Sequence, residues 1–181
     1  MSRALVVYGT RYGAAASTSE EIAKVFRQEG IETQIVDARK EKVKDINGFD
    51  LIVVGSGIQI NRWTSQPEDF IKKHIKEFAG KKLALFVCCG SASSLTGAEA
   101  EKMKDKYLTE KAVKYGLEPV ALGFFGGVYN FNKVPWWAKR ALDAERPKVE
   151  AAAKQVEHGV YDTRDWNAIR IWAKELTKKT F

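Results

Sequence analysis

The chain has 181 residues, 45% of them hydrophobic and 29% charged, which suits a folded domain with a sizeable core and excludes an intrinsically disordered one. Its 30 Lys and Arg against 23 Asp and Glu leave a net charge of +7, which favours acidic proteins, anionic lipids or an anionic small molecule as partners. No apolar run reaches membrane-spanning length, no nucleic-acid motif is present, and the leading MSRALVVYGT lacks the apolar core and cleavage site of a signal peptide. The expectation is a cytoplasmic protein that does not bind nucleic acid.

In chain order, the first apolar run is Arg3–Tyr8 (RALVVY). It leads through GTRYGAAAST into a helix expected over Thr18–Glu29, with Ile22, Val25 and Phe26 at helical spacing and Gly30 as the stop. The second run is Thr33–Ala38 and the third is Asp50–Gly55, followed by GSGIQINRWTSQ. A helix is expected over Pro67–Phe78, opened by a first-turn proline and carrying Phe70, Ile71, His74 and Phe78 on one side. The fourth run, Lys82–Cys89, ends in the adjacent pair Cys88 and Cys89. Neighbouring cysteines do not bridge without strain and give no metal-ligand spacing, so reduced thiols and no metal centre are expected. Cys89, next to Gly90, is the one that could border a site. A helix over Ala98–Tyr115 stops at Gly116, and the fifth run is Pro119–Gly126. Two more helices are expected, from Trp136 to about Gln155 and from Arg164 to Lys178. Continuous apolar runs alternating with helices are the pattern of a doubly wound α/β fold with a parallel sheet. Without repeats or linkers, the economical reading is one domain over residues 1–181, with a long helical insertion at about 128–159.

In such a sheet, ligands bind beyond the carboxyl ends of the strands. In the first of these loops, small residues admit close approach to backbone N–H groups. Thr10, Ser17 and Thr18 supply hydroxyls, and a helix N-terminus adds its partial positive charge. This describes a phosphate cradle without a cationic anchor. It is neither a nucleotide-triphosphate loop, since no GKS or GKT follows, nor a GxGxxG fingerprint, since only Gly9 and Gly13 are present. A plain helix cap at Thr18 or Ser19 is an equally open reading. The two histidines, His74 and His158, sit in helical patterns and suit surface or helix-end roles better than catalysis. No Ser–His–Asp set or paired-carboxylate site appears, and no catalytic residue is assigned.

Four stretches, YGTRYG at Tyr8–Gly13, DLIVVGSGIQINRW at Asp50–Trp63, PEDFIKKH at Pro67–His74 and YDTRDWNAIRIWAKEL at Tyr161–Leu176, together resemble the flavodoxin-like, FMN-dependent protoporphyrinogen dehydrogenase family. The resemblance covers nearly the whole chain. It implies a flavodoxin-like three-layer fold, with a five-stranded parallel sheet in the order 2-1-3-4-5 and helices on both faces, and FMN as cofactor. Thr10, Arg11, Tyr12, Gly13, Ala14 and Ala15, with Ser17 and Thr18, would cradle the phosphate. Ser56, Gly57, Ile58, Gln59 and Ile60 would run along the flavin ring. Cys89, Gly90, Ser91 and Ala92 would meet its pyrimidine side, and Gly126, Gly127 and Tyr129 would close the pocket. Gly57 reads either as a peptide turned to face the ring or as a simple turn glycine. Trp63 reads as a ring-stacking residue or as a helix-packing one.

Two features depart from the resembled pattern. The AAAS piece after Gly13 either lengthens the phosphate loop or starts the helix early. GSASS at Gly90–Ser94 offers no aromatic where many electron-carrier flavodoxins stack a tyrosine, and those carriers are acidic whereas this chain is basic. The segment Val128–Gly159 mixes Tyr129, Phe131, Trp136 and Trp137 with Lys133, Lys139, Arg140 and Arg146. It reads as a lid for a large, flat, anionic substrate, as a contact with the anionic inner face of a membrane, or as an ordinary amphipathic helix packing its tryptophans on the sheet. The function expected is an oxidoreductase passing electrons through FMN to a quinone or another acceptor, with a redox partner protein, quinone or tetrapyrrole-like substrate. The rivals are an electron carrier without its own substrate and a non-redox mononucleotide- or anion-binding module. A homo-oligomer is left open.

Overall fold

A computed structural model describes residues 2–181. In chain order the elements begin with β1 (Arg3–Gly9), α1 (Ala14–Gln28), β2 (Glu32–Asp37), β3 (Leu51–Gln59), β4 (Arg62–Trp63) and α2 (Ser65–His74). They continue with β5 (Lys82–Cys88), α3 (Gly97–Lys104), a π turn at Asp105–Thr109, α4 (Glu110–Tyr115) and β6 (Ala121–Phe125). The last part holds β7 (Val128–Asn130), α5 (Trp136–Ala152), β8 (Lys154–Glu157), β9 (Val160–Asp162) and α6 (Trp166–Thr180). The main sheet runs β2-β1-β3-β5-β6, and every neighbouring pair along it is parallel. With the two-residue β4 set aside, this is the expected 2-1-3-4-5 order.

The central strands are apolar throughout because both of their faces are covered. Leu5 and Val7 join Ile52, Val54, Phe70, Ile71 and Leu108 on the α2–α4 face. Ala4 and Val6, pointing the other way by strand alternation, join Val53, Ile22, Phe26 and Ile169 on the α1–α6 face. There Phe86 is fully buried, with ring centroids 6.0 Å from Phe125 and 6.4 Å from Trp172. Emptying such a site costs about 3–5 kcal/mol.

Four expectations are corrected. Helix α1 starts at Ala14 rather than Thr18, because three alanines propagate a helix readily once Gly13, at φ 90°, has turned the chain. Strand β3 runs past Gly55 to Gln59 and pairs back with β4. The helix expected over Ala98–Tyr115 is continuous but takes π geometry in its middle, at Asp105–Thr109. The helix expected to reach about Gln155 stops at Ala152. Behind it β7, β9 and β8 form a small antiparallel sheet. No helix among the described residues is long and apolar enough to cross a membrane.

Candidate functional site

The carboxyl ends of β1, β3, β5 and β6 converge on two adjoining clefts. A small one, about 50 Å³, is lined by Thr10, Arg11, Tyr12, Ala14, Gly57, Ile58, Gln59, Thr64, Cys88, Gly90, Gly127 and Val128. A larger one, about 290 Å³, shares Tyr12, Ile58, Gln59, Gly90 and Val128 and adds Ile60, Ser91, Tyr129, Phe131, Pro135, Trp137 and Leu142 among its walls. A separate cleft of about 270 Å³ beside α2 contains none of the strand-tip residues singled out from the sequence.

The start of α1 has no side-chain cap. Its N-cap, Gly13, is left-handed and offers no side-chain acceptor, and no acidic residue lies in the first turn. The Thr10 hydroxyl is turned back to accept the Gly13 N–H at 2.9 Å, which fixes the loop and leaves the first-turn N–H groups without a side-chain cap. A bound phosphate satisfies such donors. Beyond it, the aromatic and aliphatic walls of the larger cleft fit a flat ring. The glycines make the room. A methyl on Gly127 would lie 2.8 Å from the Gly90 nitrogen, and the Tyr129 ring lies directly over Gly90. The aromatic ring packed against GSASS thus comes from β7.

The sequence-derived residues divide into two groups. Thr10, Arg11, Tyr12, Ala14, Gly57, Ile58, Gln59, Ile60, Gly90, Ser91, Gly127 and Tyr129 line the clefts, Gly13 caps the helix beside them, and Arg11 reaches across to donate to Gln59 Oε1 at 2.6 Å. The rest face elsewhere. Ala15 and Thr18 are fully buried. Ser56 is also fully buried, with its hydroxyl paired to Thr64 Oγ1 at 3.0 Å and accepting the Thr64 N–H at 2.9 Å. Cys89 is buried with its thiol 3.2 Å from Ser91 Oγ. Ala92 packs against the α2–α4 core, and Gly126 is pressed against the Thr163 backbone. Trp63 takes its helix-packing reading: it is buried, with its indole N–H donating to the Tyr107 carbonyl at 2.8 Å. His74 takes its helix-end reading: it closes α2 and is buried between Glu77 and the Val43 carbonyl.

Burial pushes the Cys88 thiol up to about 12, although it donates to Thr18 Oγ1 at 3.3 Å; it stays a protonated packing group. Burial also raises the Tyr129 hydroxyl, with Cys89 and Glu145 adding to the shift. Among the described residues no group of three or more His, Cys, Asp or Glu is placed to hold a metal.

Sequence reasoning missed the segment that ties these loops together, Asp162–Arg164. The Thr163 hydroxyl accepts the Gly127 N–H at 2.9 Å and lies 3.0 Å from the Gly127 carbonyl and 3.4 Å from that of Gly90. Arg164 reaches the first turn of α1, donating to the Ala14 carbonyl at 2.9 Å, Ser17 Oγ at 2.6 Å and Thr18 Oγ1 at 3.3 Å. The hydroxyls of Ser17 and Thr18 therefore serve this contact. The only signal for it was the TRDW motif, whose contacts no local pattern reveals.

A family model described as a flavodoxin domain matches residues 5–146. A flavodoxin of Maridesulfovibrio salexigens is 25% identical over 121 residues, covering 64% of this chain and 83% of that one. The quinone-dependent protoporphyrinogen IX dehydrogenase of Escherichia coli strain K12 is 19% identical over 187 aligned positions, covering 98% of this chain and 96% of that one. Among solved structures, the Fusobacterium nucleatum flavodoxin bound to flavin mononucleotide superposes with a TM-score of 0.57 at 15% identity, with full coverage of both chains. With the sheet order, the strand-tip clefts and a family match over most of its length, the chain belongs to the flavodoxin domain family, whose cofactor is FMN.

Proposed function

We propose that this protein binds FMN noncovalently and transfers electrons through it. The observation that carries this reading is the convergence of four strand tips on adjoining clefts, one ending at an uncapped helix start and the other walled by Ile58, Gly90 and Tyr129. When bound, the flavin supplies the redox chemistry. Thr10, Arg11, Tyr12, Gly13 and Ala14 hold the phosphate, the first-turn N–H groups of α1 being its donors. Gly57, Ile58, Gln59 and Ile60 would run along the flavin ring, Gly90 and Ser91 would meet its pyrimidine side, and Gly127 and Tyr129 would close the cleft. Their work is to bind, to orient and to exclude water, and the peptide groups of Gly57 and Gly90 set the polarity at the ring.

The finer reading is an enzyme that oxidises a tetrapyrrole- or quinol-type substrate and passes the electrons to a quinone. It is supported by the end-to-end match to a protoporphyrinogen dehydrogenase and by the larger cleft, whose walls of Phe131, Pro135 and Trp137 extend past the space a phosphate loop needs. Trp136 is 88% exposed and Trp137 55% exposed, beside Lys133, Lys139 and Arg140. That combination suits contact with a flat anionic substrate or an anionic membrane face. The second reading, a carrier without its own substrate, draws on the flavodoxin relative. The two are separated by assaying the FMN-loaded protein with protoporphyrinogen and a set of quinones, alongside a reductive titration. Turnover that is lost on replacing Trp136 and Trp137 by alanine, with FMN still bound, supports the enzyme. No turnover with any quinone, and two well-resolved one-electron steps, supports the carrier.

A further inference from the structure

The Arg164 side chain is 5% exposed and that of Asp162 10%. Two carboxylate oxygens of Asp162 engage Arg164 Nε and Nη2 at 2.8 Å each, and the Trp166 ring lies 4.2 Å from the guanidinium carbon. The remaining nitrogen, Nη1, is spent entirely on the first turn of α1. A cation at a helix N-terminus is misplaced, since that end already carries a partial positive charge and ordinarily attracts acidic side chains. Here the same turn lacks a side-chain cap and any acidic residue. By contrast, α6 is capped by Asp165, which accepts the Ala168 N–H at 2.9 Å. Three arrangements that each disfavour α1 on its own all become favourable once an anion sits at its start. Residues 162–164 lie beyond the stretch matched by the family model.

We infer that Arg164 is the positioning cation of the phosphate subsite, acting through the first turn of α1, and that Asp162 sets how much of its charge the phosphate feels. Arg164 does not touch the ligand. It holds Ala14 and Ser17 in place and adds a buried positive charge behind donors that would otherwise carry a dianion alone. This rests on the FMN reading above.

The test compares FMN with riboflavin, the same ring without the phosphate, by fluorescence titration of wild-type protein and three variants. Arg164→Gln is expected to weaken FMN about tenfold or more while riboflavin changes by less than about twofold. Arg164→Lys, which keeps the charge, should restore most of the preference for FMN. Asp162→Asn, which removes the counter-charge, should raise the FMN-to-riboflavin preference above that of the wild type. An Arg164→Gln variant that loses both flavins equally makes Arg164 a structural clamp and overturns the inference. If that variant does not fold, an unchanged or lowered preference in Asp162→Asn overturns it instead. Wild-type protein that binds both flavins equally well removes the phosphate subsite alone, whereas wild-type protein that binds neither removes the FMN reading and this inference with it.

Discussion

Gly127 leaves no space for a side chain, and its neighbours cannot give way. A methyl there would stand 2.8 Å from the Gly90 nitrogen and 3.2 Å from the Cys89 carbonyl carbon, both backbone atoms of the adjacent strand tip. Gly127→Ala is therefore expected to cost about 1–3 kcal/mol of stability and to weaken flavin binding, read from the urea midpoint and a flavin titration. An unchanged midpoint would show that the two loops can separate freely. The glycine is visible in the sequence but its reason is not, because Gly90 lies on a different loop. The same holds more strongly for Arg164, whose acceptor at Ala14 is 150 positions away. Local pattern found the hydroxyls of Ser17 and Thr18 but not the guanidinium they serve, and so described a cradle lacking a cation.

At the level of elements, the β3–β4 hairpin turns through two residues, Ile60 at φ 49° and Asn61 at φ 58°. Positive φ at both central positions is the geometry that matches strand twist in a two-residue hairpin, but a β-branched isoleucine pays for it in steric strain. Asn61 is held by the Tyr107 hydroxyl at 2.8 Å, which couples the hairpin to the π turn. Ile60→Gly is expected to raise stability by about 1 kcal/mol, measured by chemical denaturation; a fall would mean that the exposed Ile60 side chain contributes packing that outweighs the strain. Neither the hairpin nor the π turn was legible, since an isoleucine argues against such a turn and a π turn leaves the apolar spacing almost unchanged.

Helices α2 and α4 are joined by charge. Glu68 accepts from Lys111 at 3.0 Å, Lys114 at 3.2 Å and the Tyr115 hydroxyl. Burial pushes its carboxyl up, but these three donors outweigh burial and hold it at about 2. Because the folded value lies below the unfolded one, the pairing stabilises the protein fully above the ordinary carboxylate range near pH 4.5 and is lost as pH falls toward 2. Glu68→Gln should lose about 1–2 kcal/mol at pH 7 after allowance for screening. The gap from wild type should close between about pH 4.5 and 2. A gap independent of pH in that window would assign the loss to packing instead.

Across the whole molecule, the strands of the main sheet were readable because β1, β3 and β5 are buried on both faces and so appear as unbroken apolar runs, whereas their order came from the family resemblance alone. The small β7-β9-β8 sheet was not readable. Its strands are three or four residues long, and KQVE in β8 is exposed along its entire length, leaving no alternation to detect. Thr163 and Arg164 fasten that sheet's end to the main one through Gly90, Gly127 and α1. One cooperative unfolding transition is expected from this, with far-ultraviolet circular dichroism and tryptophan fluorescence changing together; two separated transitions would divide the chain into independent units.

The most direct measurement is the visible absorbance of the purified protein, followed by titration with FMN under fluorescence detection. A yellow protein, or tight saturable quenching that weakens when Gly127 is replaced by alanine, is the result expected from the strand-tip clefts. A colourless protein that leaves FMN fluorescence unchanged would keep the fold, reduce the loop after β1 to a helix start, and contradict the electron-transfer function.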